Sequence, residues 1–474
     1  MSTPAQPSPP SALHAFATWE PLLRVLWDAN AEKFAAPGGQ VAGRIGQGGW
    51  SVPVRSPRPT GGRAAQVEDA QEEYDAIQRV RTALAEAGLD DITFTTRIRP
   101  DGRAVLKLLA RSPAVESGSG GAAPGGLLLV EGALPEPWRR APEPGTGLGP
   151  APTADPAALE RVLRERLPDA KGATEAELAE ARERLGVPLP EELKALYRVT
   201  RARWEDHDDD FESMDREAEA VGCELFPPSE MYVAVPSTRM TLWAHAAAEA
   251  VITRPDDAVQ GLVGSPGWLV FGDNGGGDRL AVDLTPGPAG HLGQVVRISH
   301  ETSIGADLIA DSLTDLVHER LADRSSRRRG PDAERPVVAH VNTSGVPGVA
   351  AAAHPALEVL SLGVWEDGPM SLAPVLDLPR LRTLSAYPGT LADPVEIGRL
   401  KHLEFLRLSP QDWRTLLAAG AVPKTLSAAS LHAYGDEDPL PLVELANEIL
   451  GLWGRPPIVR TRLEGDVTGL TVRG

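Results

Sequence analysis

The residues most suggestive of chemistry lie in a glycine-rich stretch between two apolar segments. Residues 273–278 read Asp-Asn-Gly-Gly-Gly-Asp. Glycines let backbone N–H groups or carbonyls approach an ion, which is how phosphate cradles and cation loops work. Neither pattern is complete, because no Lys-Ser/Thr pair or helix start follows the glycines and the spacing is not that of an EF-hand. We therefore expect a turn between two strands, with Asp273 and Asn274 as candidate contacts to a partner.

The densest run of charge spans residues 205–212, which read Glu-Asp-His-Asp-Asp-Asp-Phe-Glu. Carboxylates and one histidine are possible metal ligands, but adjacent residues of one loop cannot all converge on an ion. Closely set carboxylates suit the Arg and Lys side chains of a basic partner, and the alternative is a solvated loop. The candidate partner contacts are Glu205, Asp206, Asp208, Asp209, Asp210 and Glu212.

Nucleophilic chemistry has little support in the sequence. Cys223 is the only cysteine and lies between Gly222 and Glu224, without a cationic neighbour or a helix start. The chain has no Gly-x-Ser-x-Gly elbow and no His-Glu-x-x-His pair. We therefore predict no catalytic residue, no metal and no cofactor, and expect that the protein is not an enzyme.

The elements that position the acidic run begin with a helical hairpin in residues 173–200. Thr174 and Glu177 have the spacing of a capping box, which starts a helix with an apolar face. Gly186 is placed to end that helix, and Pro188 follows in the turn before a second helix. The pattern predicts a compact helix-turn-helix unit directly before the acidic residues.

This hairpin and the glycine-rich turn together carry a family resemblance. The first motif reads Leu-Gly-Val-Pro-Leu-Pro followed by Glu-Glu-Leu-Lys-Ala-Leu-Tyr-Arg; the second is strand, glycine turn and strand in residues 267–284, with a further strand at 294–298. In this order they resemble the SMI1/KNR4 family of the SUKH superfamily, over residues 156–323. The resemblance implies an α+β fold and binding rather than catalysis, because members are mostly immunity proteins that block toxins, often nucleases, while others are regulatory scaffolds.

Composition and periodicity divide the rest of the chain into further modules, so the predicted fold class is multidomain α+β. Two helical patterns at 13–34 and 67–88 and a hairpin turning at Asp101-Gly102 predict a small N-terminal α+β module. Its role is not indicated by the sequence. The predicted divisions are the N-terminal module at 10–111, a Gly/Pro/Ala-rich linker at 112–155, the SMI1/KNR4-like domain at 156–323, a basic hinge at 324–336 and a C-terminal domain at 337–474.

The C-terminal domain has a repeated pattern of leucines. The core Leu-x-x-Leu-x-Leu, with substitutions, recurs every 22 to 24 residues from Leu357 onward, and a helical pattern follows at 439–453. The period resembles that of leucine-rich repeats, an α/β stack whose inward leucines leave the intervening side chains on one shared face. The residues expected on that face, as candidate partner contacts, are Val359, Ser361, Thr383, Ser385, Tyr387, Phe405 and Arg407.

Charge restricts the class of partner. The 474 residues include 66 acidic and 47 basic side chains, for a net charge of −19, which repels phosphate backbones and anionic lipids. We expect no nucleic acid or membrane partner, and a field of this sign would steer a basic protein. The single cysteine and the absence of a signal-like or 18-residue apolar segment lead us to expect a cytoplasmic protein.

Two functions remain open at this point. The first is an immunity or antitoxin protein that binds and blocks a toxin, such as a basic nuclease. The alternative is a regulatory scaffold that recruits host proteins through the SMI1/KNR4-like and repeat domains. Enzymatic activity is the third and least supported reading of the sequence.

Overall fold

The computed structural model describes most of the chain and divides it into two compact units. The terminal unit combines both chain ends, and the middle unit lies between them in sequence. The terminal unit comprises Met1–Ala133, His340–Pro355 and Leu360–Gly474, and the middle unit comprises Leu134–Ala339 and Ala356–Val359. The described residues are 12–54, 63–116, 126–143, 145, 148–206, 210–239, 242–249, 253–302, 304–321, 337–432 and 438–468.

The N-terminal part of the terminal unit has two long helices, four strands of one sheet and two short strands of another. The two predicted helices and the hairpin at Asp101-Gly102 are present. The elements are α1 (Phe16–Ala35), β1 (Val41–Gly46), β2 (Gly49–Ser51), α2 (Arg63–Glu86), β3 (Asp91–Ile98), β4 (Arg103–Ala110), β5 (Val115–Glu116) and β6 (Leu127–Leu129). Trp19 of α1 packs edge-on against Phe94 of β3, with ring centroids 5.4 Å apart, in a core shared by both helices.

The middle unit carries the helical hairpin and an antiparallel sheet. Its helices are α3 (Glu136–Arg139), α4 (Pro156–Arg166), α5 (Glu175–Leu185), α6 (Glu191–Val199), α7 (Phe211–Val221), α8 (Trp243–Ala247) and α9 (Leu313–Val317). Its strands are β7 (Glu224–Leu225), β8 (Tyr232–Val233), β9 (Trp268–Asp273), β10 (Arg279–Asp283), β11 (Gln294–Ile298) and β12 (Asp307–Ala310). A short 3-10 helix, Trp204–Asp206, precedes α7.

The C-terminal part alternates short strands with helical turns. Its elements are β13 (Val338–Val341), α10 (Val349–Ala352), β14 (Val359–Leu362), β15 (Thr383–Ala386), β16 (Phe405–Leu408), α11 (Pro410–Ala418), β17 (Ala428–Leu431), α12 (Pro439–Leu452) and β18 (Val459–Asp466). No helix in the described part of the chain is long and apolar enough to cross a membrane.

The sheet of the middle unit is buried on both faces. Its order is β12-β11-β10-β9-β7, and β8 also pairs with β9. Leu269 and Phe271 of β9 join the core formed by α4, α5 and α6, whereas Trp268 and Val270 join a second core on the other face. This explains why β9 reads as an unbroken apolar run, since alternate side chains enter different cores.

The sheet of the N-terminal module contains a strand from the far end of the chain. Its order is β18-β4-β3-β1-β2, and β18 pairs antiparallel with β4 from Val459 opposite Ala110 to Asp466 opposite Arg103. Gly465 lies so close to the ring of Phe16 that a Cβ there would stand 2.4 Å from it. The sequence-based division into an N-terminal and a C-terminal domain did not include this pairing.

The third sheet has the order β13-β14-β15-β16-β17-β6-β5. β15, β16 and β17 are parallel and in register, and the repeated leucines Leu360, Leu384 and Leu406 are fully buried. β6, which lies within the predicted linker at 112–155, pairs antiparallel with β17. The repeated leucines thus lie on neighbouring parallel strands, and a leucine-rich-repeat stack stays a prediction.

Candidate functional site

The helical hairpin of the middle unit is held by the predicted capping box. The Thr174 hydroxyl accepts the N–H of Glu177 at 3.2 Å, and the Glu177 carboxylate accepts the N–H of Thr174 at 2.7 Å. Gly186 ends α5 in the left-handed conformation with φ of 68°. Glu177 also accepts a hydrogen bond from Arg203 at 2.7 Å, and together these contacts hold its pKa below the usual range. The cap therefore also fixes the start of the acidic segment.

Asp206 is the most firmly held member of the acidic run. Its carboxylate accepts two hydrogen bonds from the Arg201 guanidinium, at 2.6 and 3.0 Å, and lies 3.4 Å from the ammonium of Lys171. The bonds from Arg201 hold the pKa of Asp206 below its ordinary value. These bonds within the chain hold Asp206 in place, and its contact with a partner stays a prediction.

Two more acids of this region have structural roles. Asp210 caps α7 by accepting the N–H of Glu212 at 3.1 Å, and its carboxylate lies 3.7 Å from Arg216. Glu217 is buried and accepts the hydroxyl of Thr200. The side chains of Glu205 and Glu212 are exposed. Asp208 and Asp209, also predicted as contacts, lie outside the described residues.

Two exposed aromatic side chains lie at the ends of the acidic run. Trp204 is 46% exposed and Phe211 is 67% exposed, with ring centroids 5.5 Å apart at an angle of 70°. Large apolar side chains exposed together, within a polar surround, are typical of protein interaction surfaces. We call Trp204, Glu205, Asp210, Phe211 and Glu212 the acidic–aromatic patch.

Sequence reasoning did not identify the aromatic pair, although a signal was present. Phe211 is the first residue of α7 and follows its cap, and the buried residues of that helix start later, at Glu217. An apolar residue at the first helical position, outside the buried face, has no core to enter. The surface at the predicted acidic contact therefore exposes aromatic rings as well as carboxylates.

The glycine-rich turn is closed by its own hydrogen bonds. The Asn274 side chain accepts the N–H groups of Gly276 at 2.9 Å and Asp278 at 3.0 Å. Asp273 accepts the N–H of Gly275 at 2.8 Å. Gly275 and Gly277 have φ of 73° and 99°, a region that favours glycine. This geometry supports the expected turn between strands. Asn274 is exposed, and its contact with a partner stays a prediction.

Charged pairs flank the turn. Asp273 lies 2.5 Å from Arg279, whose guanidinium stands 5.5 Å from the centre of the Phe226 ring. On the other side, His300 lies 2.8 Å from the Asp278 carboxylate. Burial alone would raise the pKa of Asp278, but the hydrogen bonds from His300 outweigh it and the pKa is lowered. Asp273 is therefore paired within the turn, and its contact with a partner stays a prediction.

The predicted recognition face of the parallel sheet is partly closed. Three of its seven residues are buried, at 2%, 1% and 3% exposure, namely Val359, Thr383 and Phe405. The register places Thr383 beside Phe405, and Phe405 beside Ala428, so these side chains shield one another. The more accessible members are the half-buried Ser361, Ser385 and Tyr387 and the exposed Arg407. Contact of the seven residues with a partner stays a prediction, and the three buried ones present little surface to it.

The described residues offer no grouping typical of a metal or nucleophilic site. No three His, Cys, Asp or Glu side chains among them are placed to hold a metal ion. Cys223 is buried, and burial raises the pKa of its thiol to about 12. The thiol is therefore neutral at physiological pH and a poor nucleophile.

Comparison with known proteins finds a family match within the middle unit. A search of curated proteins finds no match to the chain. The family match begins just before α5 and ends shortly after α9, so it spans the helical hairpin, the acidic–aromatic patch and the antiparallel sheet. Residues 172–319 match the SMI1/KNR4 family (SUKH-1).

Proposed function

We propose that the protein is an immunity protein whose SMI1/KNR4 segment binds and blocks a basic toxin through the acidic–aromatic patch. Domains of this family are commonly immunity proteins that bind toxins, which supports the class of function. The observation that carries the proposal is the exposed pair of Trp204 and Phe211, set 5.5 Å apart beside exposed carboxylates.

The composition of the patch suits a protein interface. Aromatic rings that lose water on binding supply much of the affinity of an interface, and the residues around them exclude solvent. Trp204 and Phe211 would be the anchors, and Glu205 and Glu212 would form the charged rim. Carboxylates placed around an apolar centre select a partner that carries Arg or Lys at matching positions.

The patch is also held in place before any partner arrives. Arg201 binds Asp206 through two hydrogen bonds, and Arg203 binds the capping acid Glu177. These bonds fix the backbone on the N-terminal side of Trp204, while the Asp210 cap fixes the start of α7. A surface ordered in this way loses less conformational entropy on binding, which favours affinity.

Charge supports a nuclease as the class of toxin. The segment 205–219 contains nine acidic residues and one arginine, and the whole chain carries −19. A nuclease binds phosphates through Lys and Arg side chains, so its substrate cleft attracts a surface of this sign. Binding over that cleft would exclude nucleic acid and stop the reaction without any chemistry by the immunity protein.

A growth-protection assay tests the proposal. Secreted proteins encoded by neighbouring genes are the candidate toxins, and each is produced together with the full-length chain. We expect one of them to arrest growth alone and to be tolerated with the wild-type chain. Replacing both anchors, Trp204→Ala and Phe211→Ala, should abolish protection and co-purification.

The matched control is a second exposed aromatic pair. Trp50 and Tyr74 of the terminal unit are 42% and 44% exposed, with ring centroids 6.3 Å apart. The double variant Trp50→Ala and Tyr74→Ala should protect as well as the wild type. Protection that survives loss of Trp204 and Phe211 would exclude the patch. Capture of host regulators, without protection against any neighbouring toxin, would favour the scaffold function instead.

A further inference from the structure

The sheet of the N-terminal module has one apolar and one polar face. Phe94 of β3 and Leu106 and Leu108 of β4 belong to the core that α1 and α2 cover. Because side chains alternate along a strand, Thr95 and Lys107 point to the opposite face. On that face the structure has a cavity of about 620 Å³.

The cavity is built by three strands, one of them from the far end of the chain. Thr95 of β3 lies opposite Lys107 of β4, and Lys107 lies opposite Arg462 of β18. Arg97 lies on β3 as well, two residues after Thr95. The lining residues are Gly38, Gln40, Thr95, Thr96, Arg97, Arg99, Arg103, Ala104, Val105, Lys107, Arg462, Glu464, Gly465 and Asp466.

The charge of the cavity is opposite to that of the chain. Its lining has five cationic and two anionic side chains, in a protein of net charge −19. Arg462 is paired with Glu464, and Asp466 stands opposite Arg103 in the register. Within the described residues, the side chains of Arg97, Arg99, Arg103 and Lys107 have no ion-pair or hydrogen-bond partner. Arg97, Arg99 and Arg103 are exposed and Lys107 is half-buried, and cations held this close together attract an anion.

A buried hydroxyl in the same cavity also lacks a partner. Thr95 is 2% exposed, and its Oγ1 has no hydrogen-bond partner in the described structure. Burying an unsatisfied hydroxyl costs free energy, so such groups normally have a protein or ligand partner. Donation to an anionic oxygen beside Lys107 requires a small shift of the surrounding side chains, because the Thr95 Oγ1 atom has almost no accessible surface.

We propose that this cavity binds a small polyanion with two or more phosphate groups. Arg guanidinium groups match phosphate oxygens with paired hydrogen bonds, and the unpaired cations suit the charge of about −2 that each phosphate carries. The volume is that of a site for a small molecule. Among the described residues that line the cavity none is aromatic, so they offer no stacking surface like that of single-strand nucleic-acid sites. The net charge also repels long phosphate chains. This site is independent of the proposed toxin binding.

Isothermal titration of the full-length protein with inorganic pyrophosphate tests the site. We expect saturable binding with one site and a dissociation constant in the micromolar range, weaker binding of citrate, and at least a tenfold loss in the double variant Arg97→Gln and Arg103→Gln. The matched control removes two exposed cations of the same module outside the cavity, Lys33→Gln and Arg79→Gln, and should bind as the wild type.

The variant Thr95→Val separates binding from stability. It should weaken pyrophosphate binding about tenfold, since a hydrogen bond to a charged group is lost, while the melting temperature without ligand stays equal or rises. Three outcomes would overturn the site: no saturable binding of pyrophosphate at millimolar concentration, equal losses in the control variant, or tighter binding of a poly-glutamate peptide than of pyrophosphate.

Discussion

At the scale of single residues, the middle unit contains a carboxyl group, that of Asp283, whose ionisation is made unfavourable by burial. Asp283 is fully buried at the end of β10, where it accepts the N–H of Thr285 at 2.8 Å and the side-chain amide of Gln294 at 3.0 Å. Burial raises the pKa of Asp283 to about 6, and these hydrogen bonds only partly oppose it. Because the folded-state pKa lies above the unfolded value, the group favours folding at low pH, and this contribution is lost as the pH rises through about 6.

Asp283→Asn should therefore stabilise the middle unit more at high pH than at low pH. We compare the free energy of unfolding of the variant with that of the wild type. The difference in favour of the variant should increase by about 2 kcal/mol from about pH 4.5 to about pH 8, because only the wild type must bury a charge. Urea unfolding at both pH values measures this. The exposed Asp256→Asn is the control, and a difference that does not depend on pH would contradict the assignment.

At the scale of elements, the glycine-rich turn shows how backbone conformation rather than ion binding explains a motif. Gly275 and Gly277 have positive φ, and a Cβ at Gly277 would lie 3.3 Å from the His300 ring. Gly276 has ordinary φ, and the nearest atom to its Cβ would be 3.4 Å away. The three glycines of the motif are thus not equivalent.

Substitutions in this turn should differ accordingly. Gly277→Ala should destabilise the middle unit by about 1–2 kcal/mol, the cost of a left-handed conformation for an L-residue. Gly276→Ala should change stability by less than about 0.5 kcal/mol. Chemical unfolding of the two variants side by side measures this. Equal losses of stability in both variants would mean that the need for positive φ angles does not determine which glycine the turn requires.

What the sequence predicts at this scale depends on whether the signal is local. The capping box at Thr174 and Glu177, the helix end at Gly186 and the turn at Asp101-Gly102 follow from neighbouring residues, and all are present. Burial of Phe405 and the contact of Asp206 with Lys171 depend on residues that are distant in sequence and that folding brings together. Those contacts were not predictable from periodicity.

At the scale of the whole molecule, the terminal unit is made from both ends of the chain. β18 completes the sheet of the N-terminal module, and β5 and β6 extend the sheet of parallel strands. Pairings across several hundred residues leave no periodic signal that distinguishes the correct partner strand, so a division of the sequence into consecutive domains misses them. Leu463 packs against the N-terminal core and contributes apolar burial to this closure.

Truncation before β18 tests this organisation. A chain ending at residue 457 should lose the hydrogen bonds between β18 and β4, and amide exchange in β4 should rise by at least tenfold, because that strand becomes an unprotected edge. A chain ending at residue 468, which retains β18, should exchange as the full-length protein does. Unchanged protection of β4 in the shorter chain would show that the N-terminal module folds without its last strand.

Once the toxin is identified, its recognition by the acidic–aromatic patch can be tested through the effect of charge on the association rate. The patch variant removes two exposed carboxylates of the patch, by Glu205→Gln and Glu212→Gln, and the exposed acid three residues after Glu212 on α7, by Asp215→Asn. The control removes three exposed acids of the same unit, by Glu165→Gln, Glu180→Gln and Glu183→Gln. The association rate is then measured for each protein at low and high salt.

We expect the patch variant to associate at least fivefold more slowly than the wild type at about 0.01 M salt, where the Debye length is about 30 Å. The difference should disappear near 1 M salt, because screening removes long-range steering, and the control should stay close to the wild type. Equal association rates for the patch variant and the wild type at low salt, or an equal loss in the control, would contradict recognition of a basic toxin by the acidic–aromatic patch.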